Sequence, residues 1–160
     1  MNAAHAPTPA AELAVRPARL DDAPAIVDFN HRLALETEKK KLDHETLVKG
    51  VDAILRDPRL GRYFVAVAGE RLVGQMAVTE EWSDWRNGSL WWLQSVYVDR
   101  EWRGRGVFRL LLNKVSALGR ETGAIGLRLY VERGNGRAQQ TYGRGGLRDA
   151  GYVVMERIPL

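Results

Sequence analysis

The sequence predicts an α/β fold built on a mixed sheet, and three observations carry that prediction. Residues 90–98 (LWWLQSVYV) form an apolar run of strand length that leads through Arg103-Gly104-Arg105-Gly106 into the apolar-periodic residues 107–118. Residues 126–131 and then 135–144 follow the same strand-then-helix order. Upstream, residues 63–68 and 71–79 flank Gly69-Glu70, a hairpin signal. A hairpin joined to strand–helix units gives a mixed twisted sheet with helices on both faces, in the order β-α-α-β-β-β-α-β-α-β.

Each element has its own local cause. Residues 1–13 are rich in Ala and Pro, lack an apolar period, and are expected to be a disordered tail before a single domain at 14–160. Residues 14–20 read as a first edge strand, where Pro17 is tolerable because an edge can spare a donor. Asp21 or Asp22 can cap a first helix with Pro24 in its first turn, and Ala25, Ile26, Phe29, Leu33 and Leu35 supply its apolar face. The charged run 36–42 breaks or bends it. A second helix is capped near Asp43 and stops at Asp57-Pro58, with Leu47, Val51, Ile54 and Leu55 facing inward. After the hairpin, the polar residues 82–88 turn the chain into the strand 90–98, and residues 151–159 read as a last strand.

Composition narrows the class. A chain of 160 residues suits one domain with a sizeable core. There is no cysteine, which excludes disulfides, thiolate nucleophiles and thiolate metal sites. No apolar run approaches a membrane span and no signal pattern opens the chain, so a cytoplasmic protein without membrane association is expected. The net charge of +4 suits an anionic ligand, and its scattered basic residues do not indicate nucleic acid.

The turn after the strand 90–98 carries the chemistry. Gly104 and Gly106 place backbone N–H groups at a helix N-terminus, where the dipole and unpaired donors favour an anion, and Arg103 and Arg105 add charge suited to phosphate. The spacing excludes two familiar diphosphate loops. Gly106 is followed by Val107-Phe108 rather than Lys-Ser/Thr, and the third glycine of a dinucleotide fingerprint is replaced by Arg109.

Downstream, Asn135, Ala138, Tyr142, Gly146 and Leu147 complete a second pattern. Together, Arg-x-x-Gly followed by a strand and Asn-x-x-Ala-x-x-x-Tyr-x-x-x-Gly resembles the GCN5-related N-acetyltransferase (GNAT) superfamily, at the motif level from Leu90 to Tyr152 and more loosely from Val15. The family usually has Gly or Ala where this chain has Phe108. The resemblance implies the acyl-CoA N-acyltransferase fold and transfer of an acetyl group from acetyl-CoA, as co-substrate and without a metal, to the primary amine of a small molecule or protein. It implies that Val96, Tyr97 and Val98 line the pantetheine arm, with a strand N–H near Val96 polarising the thioester carbonyl. It further implies that Arg103, Gly104, Arg105, Gly106, Val107 and Phe108 hold the pyrophosphate, that Asn135 contacts the pantetheine arm, and that Tyr142 serves the CoA sulfur as acid. Read from the residues alone, Tyr142 is a core tyrosine and Asn135 a helix cap.

The acceptor side is less specific. Glu80, Glu81 and Asp84 follow the third strand, and Glu81 is the candidate base, although each singly reads as a solvated surface acid. Glu36 and Glu38 could attract a cationic amine instead. His31 and His44 have no ligand-spaced partners. Trp82 and Trp85 could cover the acceptor or bury a homodimer interface. Two other classes stay open: a non-catalytic acyl-CoA-binding sensor, favoured by Phe108, and a nucleic-acid-binding domain using the basic loop.

Overall fold

The computed structural model describes residues 12–160. The expected tail, residues 1–13, lies outside the described residues except for its last two, of which Leu13 opens the first strand. The described residues form two compact units, which divide between Tyr130 and Val131.

The first unit holds five strands and three helices. These are β1 (Leu13–Pro17), α1 (Ala23–Glu38), α2 (His44–Arg56), β2 (Arg62–Ala68), β3 (Arg71–Ser83), β4 (Gly88–Val98), α3 (Val107–Glu121) and β5 (Gly126–Leu129). The spatial order of the sheet is the chain order, antiparallel from β1 to β4 and parallel between β4 and β5. The sheet is therefore mixed, as the alternation of elements predicts.

Strand alternation assigns the two faces. Tyr63, Val65 and Ala77 pack with Ile26 and Val27 of α1 and Val51 of α2. The opposite face carries Phe64, Met76, Val78, Trp91 and Leu93, all buried, and receives α3 through Val107, Leu111, Leu112 and Val115. The helix can lie this close because Gly74 has no side chain. A Cβ there would fall 2.9 Å from Val107 Cγ1 and 3.1 Å from the Tyr97 carbonyl oxygen.

Local chemistry accounts for the boundaries. The Asp43 carboxylate caps α2 by accepting from Thr46 N–H at 2.9 Å. Lys39, at φ 56°, closes α1 inside the charged run. Asp22 does not cap α1 with its side chain. Its buried carboxylate instead takes a two-pronged ion pair from Arg16, at 2.6 and 2.9 Å, and the Arg19 N–H at 2.6 Å. The Arg16 guanidinium holds the Asp22 carboxyl below its usual range despite its burial. Between α1 and α2, His31 Nε2 and His44 Nδ1 meet at 3.2 Å, a partnership that sequence spacing does not reveal.

β3 is longer than the hairpin pattern indicates. It runs to Ser83 because its ladder with β4 continues through Trp82↔Ser89 and Ser83↔Gly88, so the polar turn shrinks to a single 3-10 turn over Asp84–Arg86.

The second unit contains α4 (Gly136–Arg144), capped by the Asn135 side chain accepting from Ala138 N–H at 3.0 Å. The strand expected over residues 151–159 is not formed. Val153, Val154, Met155 and Ile158 are exposed, and a strand needs a neighbour's free edge, which a unit whose one regular element is a helix does not supply.

Candidate functional site

β4 carries two features that shape the site. The first is a bulge. The β3–β4 register shifts between the pairs Gln75↔Tyr97 and Ala77↔Gln94, and Ser95 takes φ 49°, a left-handed conformation that a non-glycine residue adopts at a cost. A buried network holds it there. Gln75 Nε2 donates to the Ser95 carbonyl at 3.2 Å and to Asn30 Oδ1 at 2.9 Å, and Asn30 Nδ2 donates to the Tyr63 hydroxyl at 3.2 Å.

The second feature is a fork. β4 pairs with β5 over Leu90–Leu93 alone, so residues 94–98, including Val96, Tyr97 and Val98, leave that side of the strand without a partner strand among the described residues. A strand edge opened inside a sheet presents N–H and C=O groups to an extended ligand.

The glycine-rich turn follows the fork. Gly104 and Gly106 both have positive φ, 77° and 82°, and a Cβ at either would meet nothing within 4 Å. They are therefore glycines for conformation and not for space. Gly106 is the N-cap of α3 and has no side chain to cap the first turn, so the positive end of the helix dipole lies at the turn.

The two arginines of the turn are not equivalent. Arg103 turns inward: its guanidinium lies 2.7 Å from Glu36 of α1, donates through Nε to the Val98 carbonyl at 2.9 Å, and covers the Tyr97 ring at 5.3 Å. Glu36 also accepts from the Tyr97 hydroxyl at 2.9 Å and from Arg100 at 3.0 Å. Burial alone would raise the Glu36 carboxyl, but Arg103, Tyr97 and Arg100 together hold it below its usual range. The Tyr97 phenol is pushed up by burial and by its bond to Glu36. Of the two guanidinia that the sequence reading directs to phosphate, that of Arg103 is paired with a carboxylate. Arg105 lies over the Trp102 ring at 5.1 Å, on the exposed side of the turn. Val107 is a core residue, and Phe108 beside it is half-buried.

Glu81 lies on the α1/α2 side of the sheet, beyond the cover of those helices, with Thr79, Trp92, Gln94 and Arg128. It accepts from the Trp92 indole N–H and pairs with Arg128 at 3.3 Å. Both Glu81 oxygens accept a hydrogen bond, and the carboxylate, 42% exposed, keeps lone pairs open to water. Tyr130 packs on Trp92 with ring centroids 4.5 Å apart. Glu80 points to the other face and pairs with Arg62 at 2.6 Å. Trp82 and Trp85 are exposed.

Beside the bulge, α1, α2, β2 and β4 border an open cavity of about 420 Å³. Leu33, Leu42, Leu47, Val51 and Ile54 form its apolar wall, and Asn30, Tyr63 and Ser95 line it with polar atoms. Glu38 lines it, paired with Lys40 at 2.6 Å, whereas Glu36 faces the turn. In the second unit, Asn135 serves as the α4 cap, and the half-buried Tyr142 phenol is pushed up by burial, so it remains a proton donor at neutral pH. Among the described residues, no group of three or more His, Cys, Asp or Glu side chains is placed to hold a metal, and no helix is long and apolar enough to cross a membrane.

A forked parallel strand pair, a bulge at the fork and a positive-φ glycine turn capping the next helix accompany a match of residues 25–146 to the acetyltransferase (GNAT) family. The chain belongs to that family. A possible acetyltransferase from Clostridium difficile 630 is similar along 92% of this chain and 98% of its own, with 42% identity and a TM-score of 0.85. An integron cassette protein from the mobile metagenome of Cole Harbour Salt Marsh shares the fold at 23% identity, with 91% and 90% of the chains covered and a TM-score of 0.79. So does an aminoglycoside acetyltransferase from an uncultured soil metagenomic sample, in complex with sisomicin, at 17% identity, 92% and 96% coverage and a TM-score of 0.73. No curated protein matches the sequence at a significant level. This GNAT chain was recognisable from its turn and its Asn–Tyr motif, whereas the bulge at Ser95 and the Glu36–Arg103 pair left no sequence signal.

Proposed function

We propose that this GNAT protein is an acetyl-CoA-dependent N-acetyltransferase that transfers the acetyl group directly to a primary amine. The observation carrying the proposal is the fork at Leu93, flanked by the Ser95 bulge and followed by the glycine turn at the start of α3.

In this reading the pantetheine arm pairs with the free side of Val96, Tyr97 and Val98, and Asn135 adds a contact to it. The pyrophosphate takes the N–H groups of the turn from Gly104 to Phe108, with Arg105 as the available guanidinium. Arg103 contributes its backbone and anchors the turn. The neutral amine nitrogen attacks the thioester carbonyl carbon, whose oxygen accepts from the N–H near Val96 as charge develops. The new C–N bond forms, the C–S bond breaks, and the leaving thiolate takes the Tyr142 proton. The nitrogen loses its proton to water or to Glu81. The exposed Trp82 and Trp85 support a contact surface for the acceptor or for a second copy of the chain.

A second reading, an acyl-CoA-binding module without turnover, is favoured by the half-buried Phe108 at a position where the family carries a smaller residue. Calorimetry with acetyl-CoA and CoA, beside ADP and a short DNA duplex, tests the first claim. Selective saturable binding of acetyl-CoA supports it, and equal binding of all polyanions rejects it. Thiol release with an amine panel then separates enzyme from sensor.

A further inference from the structure

We propose that the cavity between α1, α2, β2 and β4 is the acceptor site, and that it takes the apolar body of a primary monoamine and not a polycation. The placement rests on the acetyltransferase reading above. The choice of ligand class rests on the cavity itself.

Three observations carry the choice. The wall contributed by α1 and α2 is aliphatic, and its volume of about 420 Å³ lies in the range of small-molecule sites. The one carboxylate lining it, Glu38, pairs with Lys40 at 2.6 Å, and Lys40 lines it too, so the lining carries no net negative charge to draw a ligand with several ammonium groups. Burying those charges would cost more than the site returns. At the sheet side, by contrast, the lining is polar and fixed. Asn30 and Tyr63 are buried, joined at 3.2 Å, and locked to the Ser95 bulge through Gln75.

Asn30 Oδ1 accepts one hydrogen bond, from Gln75, and a carboxamide oxygen has a second lone pair to offer an amine N–H. An amine held there sits at Ser95, one residue from Val96, the position the acetyltransferase reading gives the thioester carbonyl. The cavity thus presents one amine-sized polar end next to the fork and an aliphatic pocket for the rest of the molecule.

Gly50 supplies the test. It lines the cavity from the middle of α2, is exposed, and a Cβ added to it meets nothing within 4 Å, so a larger side chain has room at the cavity's rim and narrows it without disturbing the helix. Binding of 2-phenylethylamine and hexylamine to the full chain is followed by NMR, and turnover with acetyl-CoA by thiol release. Kanamycin, spermine and a lysine-containing peptide serve as competing acceptors. Both monoamines are expected to bind the wild type. They should exceed the other acceptors in kcat/KM by roughly tenfold or more, and Gly50→Trp should weaken their binding by about tenfold with acetyl-CoA affinity unchanged. Gly50→Leu, a milder filling, gives an intermediate effect and keeps the test intact if the tryptophan variant misfolds. Preference for kanamycin, spermine or the peptide overturns the proposal, as does monoamine binding indifferent to both Gly50 variants. Failure of acetyl-CoA to bind the wild type overturns the acetyltransferase reading instead, because monoamine binding to the cavity is read without it.

Discussion

Glu36 and Arg103 lie 67 residues apart in the chain and meet at 2.7 Å, so the last turn of α1 holds the first residue of the glycine-rich turn. The same carboxylate takes the Tyr97 hydroxyl and Arg100. One acid therefore ties together a helix bordering the cavity, the strand at the fork and the turn at the head of α3.

Glu36→Gln should weaken acetyl-CoA binding by roughly tenfold, the scale of one lost hydrogen bond to a charged group. Calorimetry on both proteins checks this, and an unchanged Kd would mean the turn holds its shape without the tie. Because the Glu36 carboxyl is held below its usual range, the tie is complete above about pH 4.3 and is lost as pH falls through the lowered folded-state value. The affinity gap between the two proteins should accordingly close on acidification.

Asp22→Asn should destabilise the fold by about 2–3 kcal/mol at neutral pH, because it leaves the Arg16 guanidinium without its buried partner. The folded-state value of Asp22 is lowered, so its contribution is present above about pH 3.9 and disappears below. Urea midpoints at pH 7 and pH 3 should therefore differ between wild type and variant at the first pH and converge at the second.

Tyr142→Phe should lower kcat by about a hundredfold, the low end of the range for losing a general acid, with acetyl-CoA affinity unchanged. Single-turnover and binding measurements together read this. Equal kcat would return Tyr142 to a packing role.

Two glycines with open space around them should respond in opposite directions. Gly50→Ala gains roughly 1 kcal/mol from helix propensity, whereas Gly106→Ala loses about 1 kcal/mol because its φ of 82° is strained for any side chain. Thermal unfolding of the two variants distinguishes conformation from space as the reason for each glycine.

The sequence made the architecture legible where the signal is local. The apolar runs 63–68 and 71–79 around Gly69-Glu70, the Asp43 cap and the two strand-to-helix units all gave elements close to those observed. It failed where a partner decides. β3 continues to Ser83 because β4 lies opposite it, and residues 151–159 carry a strand-like composition with no ladder. The site divided in the same way. The glycines of the turn and the Asn135 cap are local signals, but the left-handed Ser95 and the inward Arg103 depend on Gln75 and Glu36, which no spacing rule connects to them.

The bare backbone at Gly74 has a mechanical meaning. The first turn of α3 rests through Val107 on strand β3 itself, with no side chain between them. A side chain can change rotamer and let a helix settle; a hydrogen-bonded strand in the middle of a sheet cannot. The head of α3 is thus referenced to a hard stop, the backbone of β3.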